Sequence, residues 1–212
     1  MVTSTLYQIE ALVRAALDDP TPRPEGHTAL APQPRRGWQF GVIPPGARRA
    51  AALLLLYPVD TRTHLVLTRR AGTLGQHPGQ VSLPGGAVDG DETVEGAALR
   101  EAREEIGLET ADLRLLGRLS PLYIPVSNFA LHPVAAVVDR RPALVPALGE
   151  VAGILEIPLD DLRDPRRLRR GRRWGDSEAI TVPYFELQSE RVWGATAMVL
   201  GELLHLLQGH EC

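Results

Sequence analysis

Between Gly86 and Leu108 the chain reads GAVDGDETVEGAALREAREEIGL, a glycine followed by acids and arginines at spacings that can build a divalent-cation site. At about 100° per residue, a helix through this run places Glu101, Glu104 and Glu105 within one arc roughly 100° wide. Like charges three or four residues apart repel by roughly 0.2–0.5 kcal/mol per pair, so clustering three acids weakens an isolated helix. Arg100 relieves Glu104 only in part. A solvated charged face gives no reason for that cost, whereas converging hard carboxylate oxygens suit Mg²⁺ or Mn²⁺, which keep several waters and bind through a few carboxylates plus substrate phosphates.

The elements that must position these acids are also legible. Asp91 is a good N-cap, and Glu92 and Glu95 fall in a first turn where free backbone N–H groups and the helix dipole favour negative charge. Gly107 supplies the stop. Leu99, Ala102 and Ile106 form an apolar stripe that can pack on a sheet. Ala97 and Ala98 are placed on the acidic arc one turn earlier, where small side chains let a charged ligand approach. The preceding Val81-Ser82-Leu83-Pro84-Gly85-Gly86 reads as a short strand breaking at paired glycines.

The same run resembles the Nudix box: a glycine, five residues, Glu, seven residues, then Arg-Glu-apolar-x-Glu-Glu-x-Gly-apolar. Those positions are Gly86, Glu92, Arg100, Glu101, Ala102, Glu104, Glu105, Gly107 and Leu108. Seven fixed residue types, each at a background of about 7%, coincide roughly once in 10⁸ starting positions. Ala102 departs from the bulkier aliphatic residue usual in the family.

Upstream, Leu65 to Gly86 resembles the signature that precedes the box in Nudix coenzyme A pyrophosphatases. Thr68, Arg70, Gly79, Pro84, Gly85 and Gly86 match it, Ala71 and Leu83 are mild substitutions, and Gly75 stands where the family has a second arginine. Arg69, Arg48 and Arg49 are candidates to compensate, because the fixed fork of arginine donors binds phosphate oxygens bidentately. The bland alternative for all four arginines is ordinary surface charge at strand ends. His77 is either a phosphate contact through a ring N–H or a surface histidine. Pro125 to Phe129 is similar to a family loop that often reads Ser-Gly-Phe, with Asn128 able to take the left-handed backbone of the glycine. Glu150 sits where some Nudix enzymes carry an extra acid that ligates metal or takes a proton; as an exposed turn acid it would do neither. With Trp193 to Ala197 opening the last helix, the likeness covers roughly residues 45 to 210.

The resemblance implies an α/β/α sandwich with a mixed sheet and a hydrolase that cuts the diphosphate of coenzyme A or its thioesters. It implies Glu101 and Glu105 as primary ligands of Mg²⁺ or Mn²⁺, Glu104 as a further ligand or the base, and the Gly85 carbonyl as an additional ligand. Arg100 and Glu92 would orient the carboxylates. Arg70, Arg69, Arg49, His77 and Gly79 are the expected substrate contacts. Another nucleoside diphosphate derivative such as ADP-ribose or NADH is the alternative substrate, and a non-catalytic nucleotide or RNA binder the weaker alternative function.

The rest of the chain bounds these expectations. Its 212 residues suffice for one good core, and 44% hydrophobic with 23% charged content is ordinary for a globular domain. A single cysteine, Cys212, excludes an intramolecular disulfide and points to a reducing cytoplasm. The first arginine comes at position 14, so no basic leader precedes an apolar stretch. The longest apolar run, Ala50 to Tyr57, has eight residues, short of the ~20 that span a bilayer, and reads as a strand buried on both faces.

Leu6, Ile9, Leu12, Val13, Ala16 and Leu17 recur at helical spacing, and prolines 20, 22, 24, 32 and 34 predict an irregular connector after them. Residues 1–44 are thus read as an N-terminal helix and connector, and 45–212 as the Nudix-like domain. Strands are expected near 50–57, 64–69, 80–84, 112–119, 130–138, 151–157 and 180–186, with a last helix over about 195–208. That helix is apolar around much of its circumference, so it packs on the sheet or on a partner subunit and leaves a homodimer open. Arg163 to Arg173 contains seven arginines, read as a solvated loop or hairpin edge, because net charge is −3 and no aromatic residues interleave the run as base stacking requires. A basic rim that draws in a polyphosphate is the intermediate reading. No zinc pattern, Ser-His-Asp order or nucleotide P-loop is present.

Overall fold

The computed structural model describes residues 5–19, 24–34, 39–72, 79–174 and 179–208, with residues 173 and 174 described by backbone alone. Helix α1 spans Leu6–Asp18 and starts at a capping box, in which Thr5 Oγ1 accepts from the Gln8 N–H while Gln8 Oε1 accepts from the Thr5 N–H at 2.8 Å. Its stripe Ile9, Val13 and Ala16 is buried. The connector is not wholly irregular, as its prolines suggested: Pro24–Leu30 forms a second helix, α2. Pro24 is its first residue, where the missing N–H would have been unpaired anyway.

The chain continues as β1 (Arg48–Val59), β2 (Arg62–Arg70), β3 (Val81–Ser82), β4 (Gly85–Ala87), α3 (Val94–Ile106), β5 (Arg114–Arg118), β6 (Leu122–Ile124) and β7 (Phe129–Val137). Then follow β8 (Val151–Pro158), α4 (Leu159–Arg163), a 3₁₀ turn at Pro165–Arg167, β9 (Leu168–Trp174), β10 (Ala179–Leu187), β11 (Glu190–Trp193) and α5 (Gly194–Gln208). The short elements α4, β6 and β11 have no counterpart in the sequence reading. The strand expected over 80–84 is only the two residues of β3, paired with β2, and a further short strand, β4, begins at Gly85, where a break was expected, and pairs with β1.

The main sheet runs β3-β2-β1-β7-β5, with β8 beside β2, β4 beside β1 and β6 beside β7. It is mixed: β1 is parallel to β7 from Arg48↔Phe129 to Leu56↔Val137 and antiparallel to β2 and β4. The run Ala51–Tyr57 of β1 is buried on both faces, as its unbroken apolar character requires. Ala52, Leu54 and Leu56 share a core with Ile9, Val13, Leu200 and Leu203, whereas Ala51, Leu53, Leu55 and Tyr57 share one with Val94, Ala102 and Ile106. Helix α3 therefore covers one face and α1 with α5 the other. Each fully buried leucine of β1 contributes about 1.5–3 kcal/mol.

A second sheet, β11-β10-β9, is antiparallel, and its residues Phe185, Leu187 and Val192 join the α5 core. The apolar circumference of α5 is covered within the chain by α1, α2 and this small sheet. Among the described residues, no helix is long and apolar enough to cross a membrane. The arginine run forms α4's end, the 3₁₀ turn and the edge strand β9, which is the hairpin-edge reading. Gly75, His77 and Cys212 lie outside the described residues.

Candidate active site

Helix α3 begins two residues later than the sequence suggested. Thr93, not Asp91, is the N-cap: its Oγ1 accepts from the Gly96 N–H at 3.0 Å, while Asp91 stays in the exposed turn before it. A hydroxyl at Thr93 lies one step before the first apolar residue that must face the sheet, Val94, and burial of Val94 sets the start. Glu92 thus precedes the helix instead of occupying its first turn. Ala97 and Ala98 are also displaced from their expected place on the acidic arc. Both are buried against β1, where small side chains let the helix approach the sheet closely. At the other end Gly107 adopts the left-handed conformation, φ 63°, and its N–H returns to the Arg103 carbonyl at 3.0 Å.

Arg100 organises the front of the helix. Its Nη1 donates to Glu101 Oε1 at 2.8 Å and to Glu104 Oε2 at 3.0 Å. Its Nη2 donates to the Ala87 carbonyl at 2.9 Å, and Nε donates to Glu92 Oε1 at 3.2 Å. One guanidinium therefore ties the end of β4 to three carboxylates. The Arg100 side chain holds the Glu92 carboxyl below the usual carboxylate range. Glu101 shifts the other way: burial is the largest influence and raises it, Arg100 opposes, and Glu104 and Asp89 add to the rise. The Glu101 carboxylate lies on the backbone of Gly86, where a Cβ would push it aside, so the box glycine leaves room for the box acid. Asp89, 3.8 Å from Arg100, and the Ala87 carbonyl were not singled out from the sequence. The only available signal was their place in the loop between Gly86 and Glu92.

Glu105 is the most enclosed of the three acids, 8% exposed. Its Oε2 accepts from the Gly85 N–H at 3.3 Å. Burial pushes its carboxyl up to about 7; the Gly85 N–H and the charge of Arg70 oppose this, and the charges of Glu101 and Glu150 reinforce it. The expected residues Arg70 and Glu150 are thus near enough to act on Glu105. The placement of Glu150 follows from the chain path. The Ala147 N–H donates to the Glu105 carbonyl at 2.8 Å, and the Ala71 N–H, next to Arg70, donates to the Glu150 carbonyl at 2.8 Å.

The other expected contact residues have neighbours of their own, and the Arg49 carbonyl accepts from the Val88 N–H at 3.0 Å. Arg69 Nη1 is committed to Glu190 Oε1 of β11 at 2.9 Å. Arg48 lies over the Phe129 ring at 4.3 Å. Arg49 is on the β7 side, where its charge and, more strongly, burial lower the basicity of His132. Gly79 has φ 71°, a backbone suited to glycine, at the end of the segment that enters β3. Asn128 takes the expected left-handed backbone, φ 54°, and its side-chain Nδ2 donates to the Gly46 carbonyl at 3.3 Å.

Among the described residues, no group of three acids or histidines is already closed into a cation cage. The bonds of Arg100 hold Glu101 and Glu104 toward the guanidinium. The donor set nonetheless fits a hard cation: Glu101 and Glu105 are carboxylates whose negative form is disfavoured by burial, and both line the Gly85-Gly86 backbone.

Comparison with known proteins agrees with this geometry. A NUDIX domain model matches residues 47–175. The uncharacterized Nudix hydrolase NudL of Citrobacter koseri is 36% identical over 164 residues, covering 74% of this chain and 81% of its own. NudL of Yersinia pestis is 37% identical, covering 74% of this chain and 78% of its own. Among solved structures, the M. smegmatis Nudix hydrolase RenU superposes with a TM-score of 0.56 over 78% of this chain and 89% of its own, at 23% identity, a likeness of fold.

Proposed function

The chain belongs to the Nudix hydrolase family, and from that premise we propose that it hydrolyses the diphosphate of coenzyme A or its thioesters in the presence of Mg²⁺ or Mn²⁺. The products are phosphopantetheine, or its acyl form, and adenosine 3′,5′-bisphosphate. The observation that carries the reading is the buried Glu105 beside Arg70, with Glu101 held over Gly86 by Arg100. The resemblance of Leu65 to Gly86 to the coenzyme A pyrophosphatase signature supports the substrate.

Glu101 and Glu105 would hold the cation, with Glu104 and the Gly85 carbonyl completing its protein ligands. When bound, the ion supplies positive charge against the phosphoryl oxygens and acidifies water. The chain's own residues do the rest. Arg70 offers a fork of donors to a phosphate oxygen. Arg100 and Glu92 keep Glu101 and Glu104 in register with the glycine loop. Water adds to one phosphorus while the bridging oxygen leaves on the other phosphate with the bond pair. The released proton passes to a carboxylate at the rim, Glu104 or Glu150.

The test incubates purified protein with coenzyme A, ADP-ribose, NADH and diadenosine polyphosphates, each with Mg²⁺ or Mn²⁺, and separates the products by ion exchange. Coenzyme A is expected to turn over fastest and a chelator to stop the reaction. Preference for ADP-ribose would discard the substrate and keep the reaction class; Gly75, in place of a family arginine, is the feature that would favour this outcome. Indifference to the chelator would discard the cation.

A further inference from the structure

On the premise of the coenzyme A reading, we propose that Arg49 and His132 form a second anion subsite, which receives the 3′-phosphate of coenzyme A and sets it apart from substrates that lack this group. The strand registers place the subsite. Ala51 of β1 pairs with Gly86 of β4 on one side and with His132 of β7 on the other, so the three residues make one row across the sheet. Residues in a row point to one face, and here it is the face of α3, because Ala51 shares a core with Val94, Ala97 and Ala102. The Glu101 carboxylate occupies the space over Gly86 on that face. His132 therefore stands about 10 Å from Gly86 and its acid, two strand spacings along the row. Arg49, two residues before Ala51, projects from the same face beside it.

The charge around this pair asks for an anion. Burial, then Arg49, then Arg118 disfavour the protonated form of His132, and Glu95 opposes them. Arg118, which pairs with Val134 on the same face, is already held by Glu95, whose Oε2 accepts from its Nη2 at 2.7 Å. Arg49 is exposed and has no ion-pair partner among the described residues, and the half-buried His132 ring makes no hydrogen bond to any of them. A guanidinium fork and an imidazole, both with unused donors and set among like charges, are relieved by a phosphate placed between them. The distance from Glu101 selects which phosphate. Coenzyme A carries a phosphate on its ribose, one sugar away from the diphosphate; ADP-ribose, NADH and diadenosine polyphosphates carry none there. The subsite thus gives a reason, independent of the signature before the box, for coenzyme A over its rivals.

Isothermal titration of the metal-free full chain with adenosine 3′,5′-bisphosphate and with AMP reads the subsite without turnover. The parent is expected to bind the bisphosphate about tenfold or more tightly than AMP, the worth of one or two charge-assisted contacts. Arg49→Ser should bring that ratio to roughly threefold or less, and His132→Asn should lower it in the same direction. Should His132→Asn melt early, the exposed Arg49 carries the test alone. Arg48→Ser removes an equal charge from the opposite face of β1 and should keep the parent's ratio. In assays with Mg²⁺, the preference for coenzyme A over dephospho-coenzyme A should fall in the same order, through KM more than kcat. Equal binding of bisphosphate and AMP by the parent would overturn the subsite, as would an equal loss of preference in Arg48→Ser and Arg49→Ser. Failure to cleave coenzyme A with the bisphosphate preference intact would instead overturn the proposed substrate and keep the subsite for another 3′-phosphorylated nucleotide.

Discussion

Two buried glutamates on opposite sides of the main sheet have opposite surroundings. Glu202 on α5 is 2% exposed, and its carboxylate accepts from the Ser120 hydroxyl at 2.7 Å and the Ser120 N–H at 3.0 Å. His27 Nε2, itself fully buried, lies 2.9 Å away, off the line of a straight hydrogen bond. Burial alone would raise the Glu202 carboxyl, but His27 and Ser120 outweigh it and hold it below the usual range. Glu105 on α3 has the Gly85 N–H, and burial prevails. A buried carboxylate with a full set of donors serves the fold. One kept short of donors gives up stability, and on the proposed function that cost holds a site ready for a cation.

Substituting each glutamate separates these roles. Glu105→Gln should reduce pyrophosphate turnover by about 10³-fold or more, roughly 4 kcal/mol of barrier, in steady-state assays with Mg²⁺ or Mn²⁺. Glu202→Ala should do the reverse, costing about 3–5 kcal/mol in urea unfolding because His27 and the Ser120 donors lose their partner, while turnover of the folded fraction persists. If Glu202→Ala lost activity in proportion to Glu105→Gln without losing stability, the distinction would fail.

The metal-free protein sharpens the contrast further. Glu105 has its folded pKa raised from 4.5 to about 7, so the folded state binds the proton more tightly. The stability this gives is complete below about 4.5 and is lost as pH rises through about 7. Glu105→Gln should therefore gain stability over wild type across that window, by about 1–3 kcal/mol at pH 7 in denaturant melts without metal. Glu202 is lowered, so its contribution is present above the ordinary carboxylate range and disappears as pH falls through its folded value. The Glu202→Ala deficit should shrink in acid, while the Glu105→Gln gain should grow toward neutrality.

Smaller effects follow at the residues around Glu105. Arg100→Lys retains charge but cannot bridge Glu92, Glu101, Glu104 and the Ala87 carbonyl together, and turnover should fall about 10–100-fold. Arg69→Ala should change little in a thermal melt, within about 1 kcal/mol, because its bridge to Glu190 is on the surface. A large loss of turnover in Arg69→Ala would move Arg69 into the substrate site.

The acids, their helix and the glycine loop were legible because the chemistry needs fixed spacing along a single short segment. Its start was misplaced by two residues because Asp91 and Thr93 are both good caps and only the burial of Val94 decides between them. Helix α2 was hidden by a proline count that ignored where Pro24 falls in its turn. Strands β6 and β11 are too short for periodicity to register. The Ser120, Glu202 and His27 cluster joins residues distant in sequence, so no local pattern announces it.

Where α2 crosses α5, Gly26 meets the backbone of Gly201 and Glu202 so closely that neither glycine has room for a methyl group. The family-matched segment, residues 47–175, contains neither helix. Trimming the chain to that segment would remove α5 from the underside of the sheet and α2 from its resting place, baring Leu54, Leu56, Leu65 and Leu67 to water. The borders of the recognisable module and the borders of the cooperative folding unit are therefore different places on this chain.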